Sequence, residues 1–495
     1  MESFLSAVLG ELMTRSISFI INKCSNPPGL AVEDSLQRAL LRAQVIIEEA
    51  VGRQITNQAM LQQLGLLRDA MHRGYYKLDT FRYQPQYAEG GGKDHQTVSC
   101  FMSPSKLNSE RDPYFSSPRA QNLGPLREAL DSLTSMIVDV NELVIFLMSY
   151  PRLYRQPYSM HILLGNCMFG RQMEVELVIN FLLHEQSHGS EELEVLPIVG
   201  PARIGKSTLV AHVCRDERVR DHFSEIFFLH SHEVTDDKLA FREGCTMKDQ
   251  NTVPKSNNEK ILLVVVELPG DPNEDAWSRL YHAIKRCVPS GSKIIVTSRS
   301  DKVVKLGTTR PITLEYLPDE AYWYFFKTLT FGSMDPEMHP RLMQLAMEIA
   351  RMQNGSFDGA HITSCLLRGN FDIHFWSKVL SFLRGFVQKH VSKFGEHPVY
   401  SLGQNRPTQF GRMVTPSQEF VVSHQYQCSL QEEVPKIRFQ DVMYSSVKPH
   451  GEFNVLSWRS QIPPYYSYIA TCEIREPRTK AAKRKRSMKD EVTVG

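Results

Sequence analysis

Hydrophobic positions in the first third of the chain recur at helical spacing. Leu36, Leu40, Ala43, Ile47 and Ala50 alternate four and three apart. Leu61, Leu64, Leu67, Met71, Tyr75 and Leu78 do so with one irregularity, so each set predicts one face of an amphipathic helix. The break SNPPG at 25–29 separates these from an expected first helix over 1–24. Residues 84–122 lose all periodicity and are rich in Gly, Ser, Pro and Asn, which predicts a disordered insertion. Leu130, Leu133, Ile137, Val140, Val144 and Leu147 then line one more helical face. Together the segments predict a helical bundle over residues 1–150.

From about residue 160 the pattern changes. Short apolar runs (EVLPIV, EIFFLH, KILLVVVEL, SKIIVTS) alternate with amphipathic stretches at 171–183, 207–216 and 275–287. That alternation predicts a parallel sheet with helices on both faces over 160–310. Residues 311–397 read as a helical extension. Beyond 398, EFVV, KIRFQDV and EFNVLSW resemble strands between Pro, Gly and Ser turns, giving a β-rich region of unknown fold over 398–475. Residues 476–495 form a basic tail expected to be disordered. The chain is therefore expected to be multidomain: an N-terminal α-helical bundle, a central α/β domain with a helical extension, and a C-terminal β-rich region. No LxxLxLxxN repeat supports a leucine-rich solenoid.

The strand LEVLPIV runs into GPARIGKST at 200–208, which matches GxxxxGK[ST] as Gly200, Gly205, Lys206 and Ser207, with Thr208 next. The glycines let successive backbone amides turn inward on the phosphates, and Lys206 would stand between the β- and γ-phosphates. The Ser207 hydroxyl would complete a Mg²⁺ shell, and the helix that starts there points its positive end at the anion. The central domain is thus expected to be a P-loop nucleotide-binding domain that takes ATP or ADP with Mg²⁺. The next buried strand, ILLVVV at 261–266, should carry an acid at its C-terminal end. The two candidate positions read Val266 and Glu267, so only one acid remains for catalysis. A one-residue register change would send Glu267 to the opposite face, and a plain strand-end surface acid is the alternative. The third strand, GSKIIVTSR, ends in Arg299, whose fork could pair with γ-phosphate oxygens.

Composition narrows the partners. Across 495 residues the formal net charge is only +2, which argues against a chain that coats nucleic acid. The nine cysteines are scattered with no CxxC spacing, as expected in a reducing compartment. The N-terminus carries Glu2 and Glu11 and no basic region before its apolar positions, and the longest apolar run is far shorter than the roughly 20 residues a membrane helix needs. A cytoplasmic location is expected. KRKR at 483–486 reads as either a nuclear-import signal or part of a solvated tail. IPPYYSY at 462–468 reads as a partner patch or as local packing. The apolar face of helix 1–24 suits membrane contact or self-association no better than it suits packing in the bundle.

Several ordered segments carry a family resemblance: FGRQMEVELVINFLL, VLPIVGPARIGKSTLVAHVCRDERVRDHF, KILLVVVELP, GSKIIVTSR and LEYLPDEAYWYFFKTLTFG. In this order they resemble the NB-ARC module of plant NLR disease-resistance proteins. LLRDAMHRGYYKLDTFRY resembles their Rx-type coiled-coil domain. The resemblance covers roughly 1–395 and implies a switch in which ADP holds a resting state and ATP exchange permits oligomerisation and defence signalling. It assigns Lys206 and Ser207 to phosphate and Mg²⁺, Arg299 to the γ-phosphate, and Gly170 and Arg171 to a short motif near the adenine. It makes 311–397 an ARC-like subdomain, with self-association or other NLRs as partners of the helical N-terminus. The departures are also specific. The paired acids read Val266 and Glu267, and the family's GLPLA motif reads Gly355, Ser356, Phe357, Asp358 and Gly359, without its proline. Its MHD motif and winged helix are not found. The EDVLD patch reads Tyr75, Tyr76, Lys77, Leu78 and Asp79, with no leucine-rich repeats for it to meet. The implied function is a truncated nucleotide switch with weak or no hydrolysis. The alternatives are an active P-loop ATPase and a non-catalytic decoy for full-length NLRs.

Overall fold

The structure, a computed structural model, describes residues 29–83, 123–152, 168–184, 192–230, 261–268, 270–416, 418–428, 434–445, 451–460 and 465–475, with a few single positions between them. The expected helix over 1–24, the insertion at 84–122 and the KRKR tail lie outside the described residues.

The N-terminal periodicity forms α1 (Gly29–Val51), α2 (Gln58–Tyr83) and α3 (Gly124–Asp139). Leu36, Leu40, Ala43, Leu67, Met71, Leu78 and Leu133 meet in one core. The single helix expected through Leu147 is interrupted at Val140, whose φ of −89° and ψ of 0° end α3 before a short α4 (Asn141–Leu147). Leu147 then joins a separate small cluster with Ile55, Leu61 and Leu64.

The parallel sheet contains β1 (Glu194–Val199), β2 (Glu225–His230), β3 (Leu262–Leu268), β4 (Lys293–Ser298) and β5 (Ile312–Thr313) in the order β2-β3-β4-β1-β5. Helices cover both faces, which is why its strands read as apolar runs. On one side α5 (Gln172–Leu183) and α6 (Lys206–Val213) pack on Leu196, Ile198, Leu263, Val265 and Ile295. On the other, α8 (Glu274–Cys287), which follows the short α7 (Glu217–His222), packs on Val195, Val199, Val264, Val266 and Val296. Pro197 sits in this central strand without breaking a ladder bond. β5 pairs with β1 only at Ile198 and Val199, and Thr308 instead serves both the amide and the carbonyl of Val195.

Helices α9 (Asp319–Phe331), α10 (Pro340–Met352), α11 (Phe357–Gly369), α12 (Ile373–Phe394) and α13 (Pro398–Gly403) follow. They lead into an antiparallel sheet of β6 (Thr408–Gly411), β7 (Glu419–Cys428), β8 (Glu452–Arg459) and β9 (Ser467–Arg475), ordered β6-β7-β9-β8. One aromatic-rich core, including Phe326, Trp376, Phe410, Phe420 and Phe439, runs through these helices and the sheet. KIRFQDV, expected to be a strand, divides: Arg438 makes a single bridge to Leu456 of β8, and FQDV begins helix α14 (Phe439–Tyr444). The Arg438 amide donates to the Asp441 carboxylate at 3.0 Å, and buried Phe439, Val442 and Met443 follow helical rather than alternate spacing.

The YYKLD segment has a partner within this chain. The buried Asp79 carboxylate accepts from Trp323 Nε1 at 2.8 Å and from Lys327 Nζ at 2.6 Å, both on α9. Arg351 of α10 donates to the Tyr76 hydroxyl, and Arg82 bridges Glu33 and Glu337. The bundle is thereby fastened to the helices that follow the parallel sheet. Among the described residues, no helix is long and apolar enough to cross a membrane.

Candidate nucleotide-binding site

The loop after β1 depends on two glycines for different reasons. Gly200 has φ +150°, and a Cβ there would meet the Leu314 carbonyl oxygen at 2.4 Å. Gly205, at φ +97°, turns the chain into α6. Arg203 between them also has a positive φ of 60°. The Lys206 ammonium folds back on this loop and donates to the carbonyls of Gly200 and Pro201 at 2.8 and 2.7 Å. Burial lowers the Lys206 pKa to about 8; the charge of Arg299 lowers it too, while Glu267 pulls the other way. The loop thus holds the Lys206 ammonium within reach of the Arg299 charge, and Glu267 is the anionic group that offsets them.

Ser207 Oγ donates to Glu267 Oε1 at 2.9 Å. This corrects the register expected for β3. Glu267 shares its face with Leu263 and Val265, which pack toward α6, whereas Val266 and Leu268 face α8. Glu267 therefore lies on the Ser207 side of the sheet, and Leu268 on the opposite side. Two oxygens this close, one hydroxyl and one carboxylate, fit a Mg²⁺ that takes its remaining ligands from phosphate and water. Among the described residues no cluster of three or more His, Cys, Asp or Glu forms a separate metal site.

A cavity of about 840 Å³ opens in front of the loop, within the usual range for small-molecule sites. It brings together Gly205, Lys206, Ser207, Thr208, Glu267, Arg299 and Arg171 from the residues expected by sequence. Gly200 and Gly170 are not among its lining residues. Gly170 has φ +70° and lies against Leu317. Arg171 does not project freely at a ligand: its guanidinium is held by Glu174 at 3.1 Å and by the Glu315 carbonyl.

Sequence reasoning missed the remaining wall. Arg203 pairs with Asp358 at 3.3 Å and with Gln425 of β7. Burial raises the Asp358 carboxyl pKa, and Arg203 partly offsets this. His361, Trp458, Tyr466 and Tyr468 also line the cavity. The aromatic content of IPPYYSY and EFNVLSW was the available signal, but nothing local says that these residues face the phosphate loop.

The chain is similar to plant disease resistance proteins. Disease resistance protein RGA2 of Solanum bulbocastanum is 28% identical over 202 residues, covering 38% of this chain and 20% of that protein. RGA1 of the same species is 27% identical over 225 residues, covering 43% and 23%. The RPP13-like protein 1 of Arabidopsis thaliana is 24% identical over 229 residues, covering 43% and 22%. The match spans only about a fifth of the length of these relatives. No family model matches the chain. Among solved structures, C. elegans PCH-2 has 13% identity and a TM-score of 0.27, covering 40% of this chain and 63% of that one. Domain III of the Thermotoga maritima replication initiation protein DnaA has 12% identity and a TM-score of 0.25, covering 48% and 90%. Likeness at these scores carries no argument about function.

Proposed function

We propose that this protein is an ADP/ATP-binding switch of plant defence, related in mechanism to disease-resistance receptors, with weak or no hydrolysis. The observation that carries this reading is the convergence on one cavity of Lys206, the Ser207–Glu267 pair and Arg299. Polyphosphate would take the loop amides and Lys206, while Mg²⁺ would bridge phosphate to Ser207 and Glu267. Arg299, exposed at the end of β4, is free to reach a γ-phosphate. Leu268 at the second position of the acid motif removes the group that would polarise water, so binding outlasts chemistry. The bundle is the output element in this reading, because Asp79 and Tyr76 tie it to α9 and α10, and Arg82 ties it to Glu337 in the turn between them. Self-association or pairing with longer receptors through the bundle, together with an Rx-type and truncated architecture, belongs to the same proposal.

Titration of fluorescently labelled ADP and ATP tests it. Lys206→Ala is expected to weaken binding about 100-fold or more, the usual range for removing one partner of a buried charge contact. Unchanged affinity in that variant would overturn the reading. The competing reading of an active ATPase predicts turnover above roughly 1 s⁻¹, against which the expected rate is far lower.

A further inference from the structure

The antiparallel sheet reaches the cavity through two local irregularities. In β7 the register shifts between Val422 and His424, and in β8 between Leu456 and Trp458. The first lies opposite Thr471 and Cys472 of β9, and the second opposite Tyr468 and Ile469. Cross-strand partners point to the same face, so the pairs Val422/Cys472 and Phe453/Cys472 define one side. Past the bulges the pairs Gln425/Ala470, Gln427/Tyr468 and Trp458/Tyr468 continue on that same side. Strict alternation would have turned Gln425, Gln427 and Trp458 away. A bulge in each outer strand therefore re-aims polar and aromatic side chains, as bulges near functional sites commonly do.

The side they are aimed at begins as apolar core and ends as cavity wall. Val422, Val455, Ala470 and Cys472 are buried in the aromatic core, whereas Gln425, Gln427, Trp458 and Tyr468 line the cavity in front of Lys206. The Trp458 and Tyr468 rings stack with centroids 5.1 Å apart, and His361 lies 5.2 Å from Trp458 on its other flank. Tyr468 lines the cavity together with Thr208, next to Ser207 at the head of α6, where the loop amides would bring the α-phosphate. Two buried polar atoms in this wall, Trp458 Nε1 and His361 Nδ1, have no hydrogen-bond partner among the described residues. Unpaired buried atoms of this kind are costly, and they mark where a ligand or ordered water completes the structure. A core-packing role would explain the rings. It would not explain two unpaired nitrogens beside a cavity of this size.

We infer that the C-terminal sheet is the fourth wall of the nucleotide site, with Trp458 and Tyr468 contacting the nucleoside side of a bound diphosphate. Nucleotide occupancy and the seating of the sheet are then linked. Whatever affinity the sheet adds to the nucleotide, the nucleotide returns as tighter docking of the sheet. Arg203, which joins the phosphate loop to Asp358 and Gln425, is the polar latch of the same contact. This inference rests on the nucleotide-binding reading above.

The test uses the full chain with fluorescently labelled ADP, comparing wild type, Lys206→Ala, Tyr468→Phe and Trp458→Phe. Tyr468→Phe removes only a hydroxyl and guards against misfolding as the cause of any loss. Each sheet variant is expected to bind roughly tenfold more weakly, about 1.4 kcal/mol. The change in intrinsic fluorescence on adding unlabelled ADP should disappear in Trp458→Phe. ADP should also slow amide exchange in 419–428, 452–459 and 467–475 of the wild type. If Lys206→Ala loses affinity while both sheet variants bind as wild type and exchange in the sheet ignores ADP, the sheet is not part of the site. The nucleotide reading survives that result. If Lys206→Ala binds as wild type, both fall together.

Discussion

β4 of the parallel sheet buries all six of its residues, whereas β7 of the antiparallel sheet buries Phe420 to Val422 and then exposes Ser423 and His424. The two sheets face the same cavity with different resources. Helices cover the parallel sheet on both faces, so its strands can offer chemistry only at their C-terminal ends, through loops and backbone amides. The antiparallel sheet has one face that passes from core to cavity, and it offers side chains: two glutamines, an indole and phenols. The difference teaches a division of labour. In the proposed complex the phosphate half of the ligand would meet backbone and cations, and the nucleoside half would meet aromatic rings.

The comparison breaks most visibly at one glycine on each sheet. Gly200→Ala puts a Cβ against the carbonyl of Leu314, whose amide donates to the Val199 carbonyl of β1. Backbone must move, and a loss of roughly 3 kcal/mol in folding stability is expected, at the upper end for overpacking. Gly451, at φ +68° where β8 begins, has nothing within 4 Å of a Cβ. Its alanine variant should cost about 1 kcal/mol, the strain of the left-handed conformation alone. Urea unfolding of the two variants measures both. Equal losses would show that the two sheets tolerate local strain alike.

The same contrast explains how much the sequence disclosed. The phosphate loop is local: nine consecutive residues fix the turn, the cation and the helix start, and the strand before them reads as an unbroken apolar run. The helical faces of α1 and α2 were equally plain, because periodicity survives any tertiary context. The C-terminal sheet depends on two bulges, and a bulge inverts the meaning of every position after it. No reading of alternation in EFNVLSW could place Trp458 on the cavity side, since regular pairing predicts the reverse. β9 itself went unrecognised beyond its aromatic start. The face of Glu267 is illegible for a related reason: a register set one residue off in β3 assigns the acid to the wrong face, and only the packing of Leu263 and Val265 decides it. The partners of Asp79 are illegible for a third reason, because Trp323 and Lys327 lie more than two hundred residues away.

The pH dependence of binding separates the two halves further. With its pKa lowered to about 8, Lys206 is largely charged at neutral pH and neutral well above pH 8 in the free protein. A bound phosphate favours the charged form, so above pH 8 binding must take up a proton. ADP affinity is therefore expected to fall by up to tenfold per pH unit from about 8 upward, until the raised pKa of the bound state is reached. His361, whose pKa burial lowers to about 4, stays neutral throughout that range. His361 should add no pH dependence between 5 and 8, and Tyr468→Phe should shift the binding curve without changing its shape above pH 8. A flat profile through pH 9.5 would mean that Lys206 does not carry the phosphate contact.

The smallest expected effect concerns the metal. Glu267 lies 2.9 Å from the Ser207 hydroxyl, and its charge also acts on Lys206. In Glu267→Gln the hydrogen bond to Ser207 can persist through the amide oxygen, so the loop should keep its shape. The carboxylate charge is lost. Without Mg²⁺, that removes a repulsion against phosphate, and ADP should bind the variant as well as or slightly better than wild type. With Mg²⁺, the variant lacks the anionic group that attracts the hydrated cation, and the metal's contribution to affinity should shrink by a few-fold. The measurement is a pair of ADP titrations, with Mg²⁺ and with chelator, on both proteins. A Glu267→Gln protein that keeps the full Mg²⁺ enhancement would place the metal's acid elsewhere. The Ser207–Glu267 pair would then be a structural contact at the end of β3, and the parallel sheet would bind phosphate through backbone and cations alone.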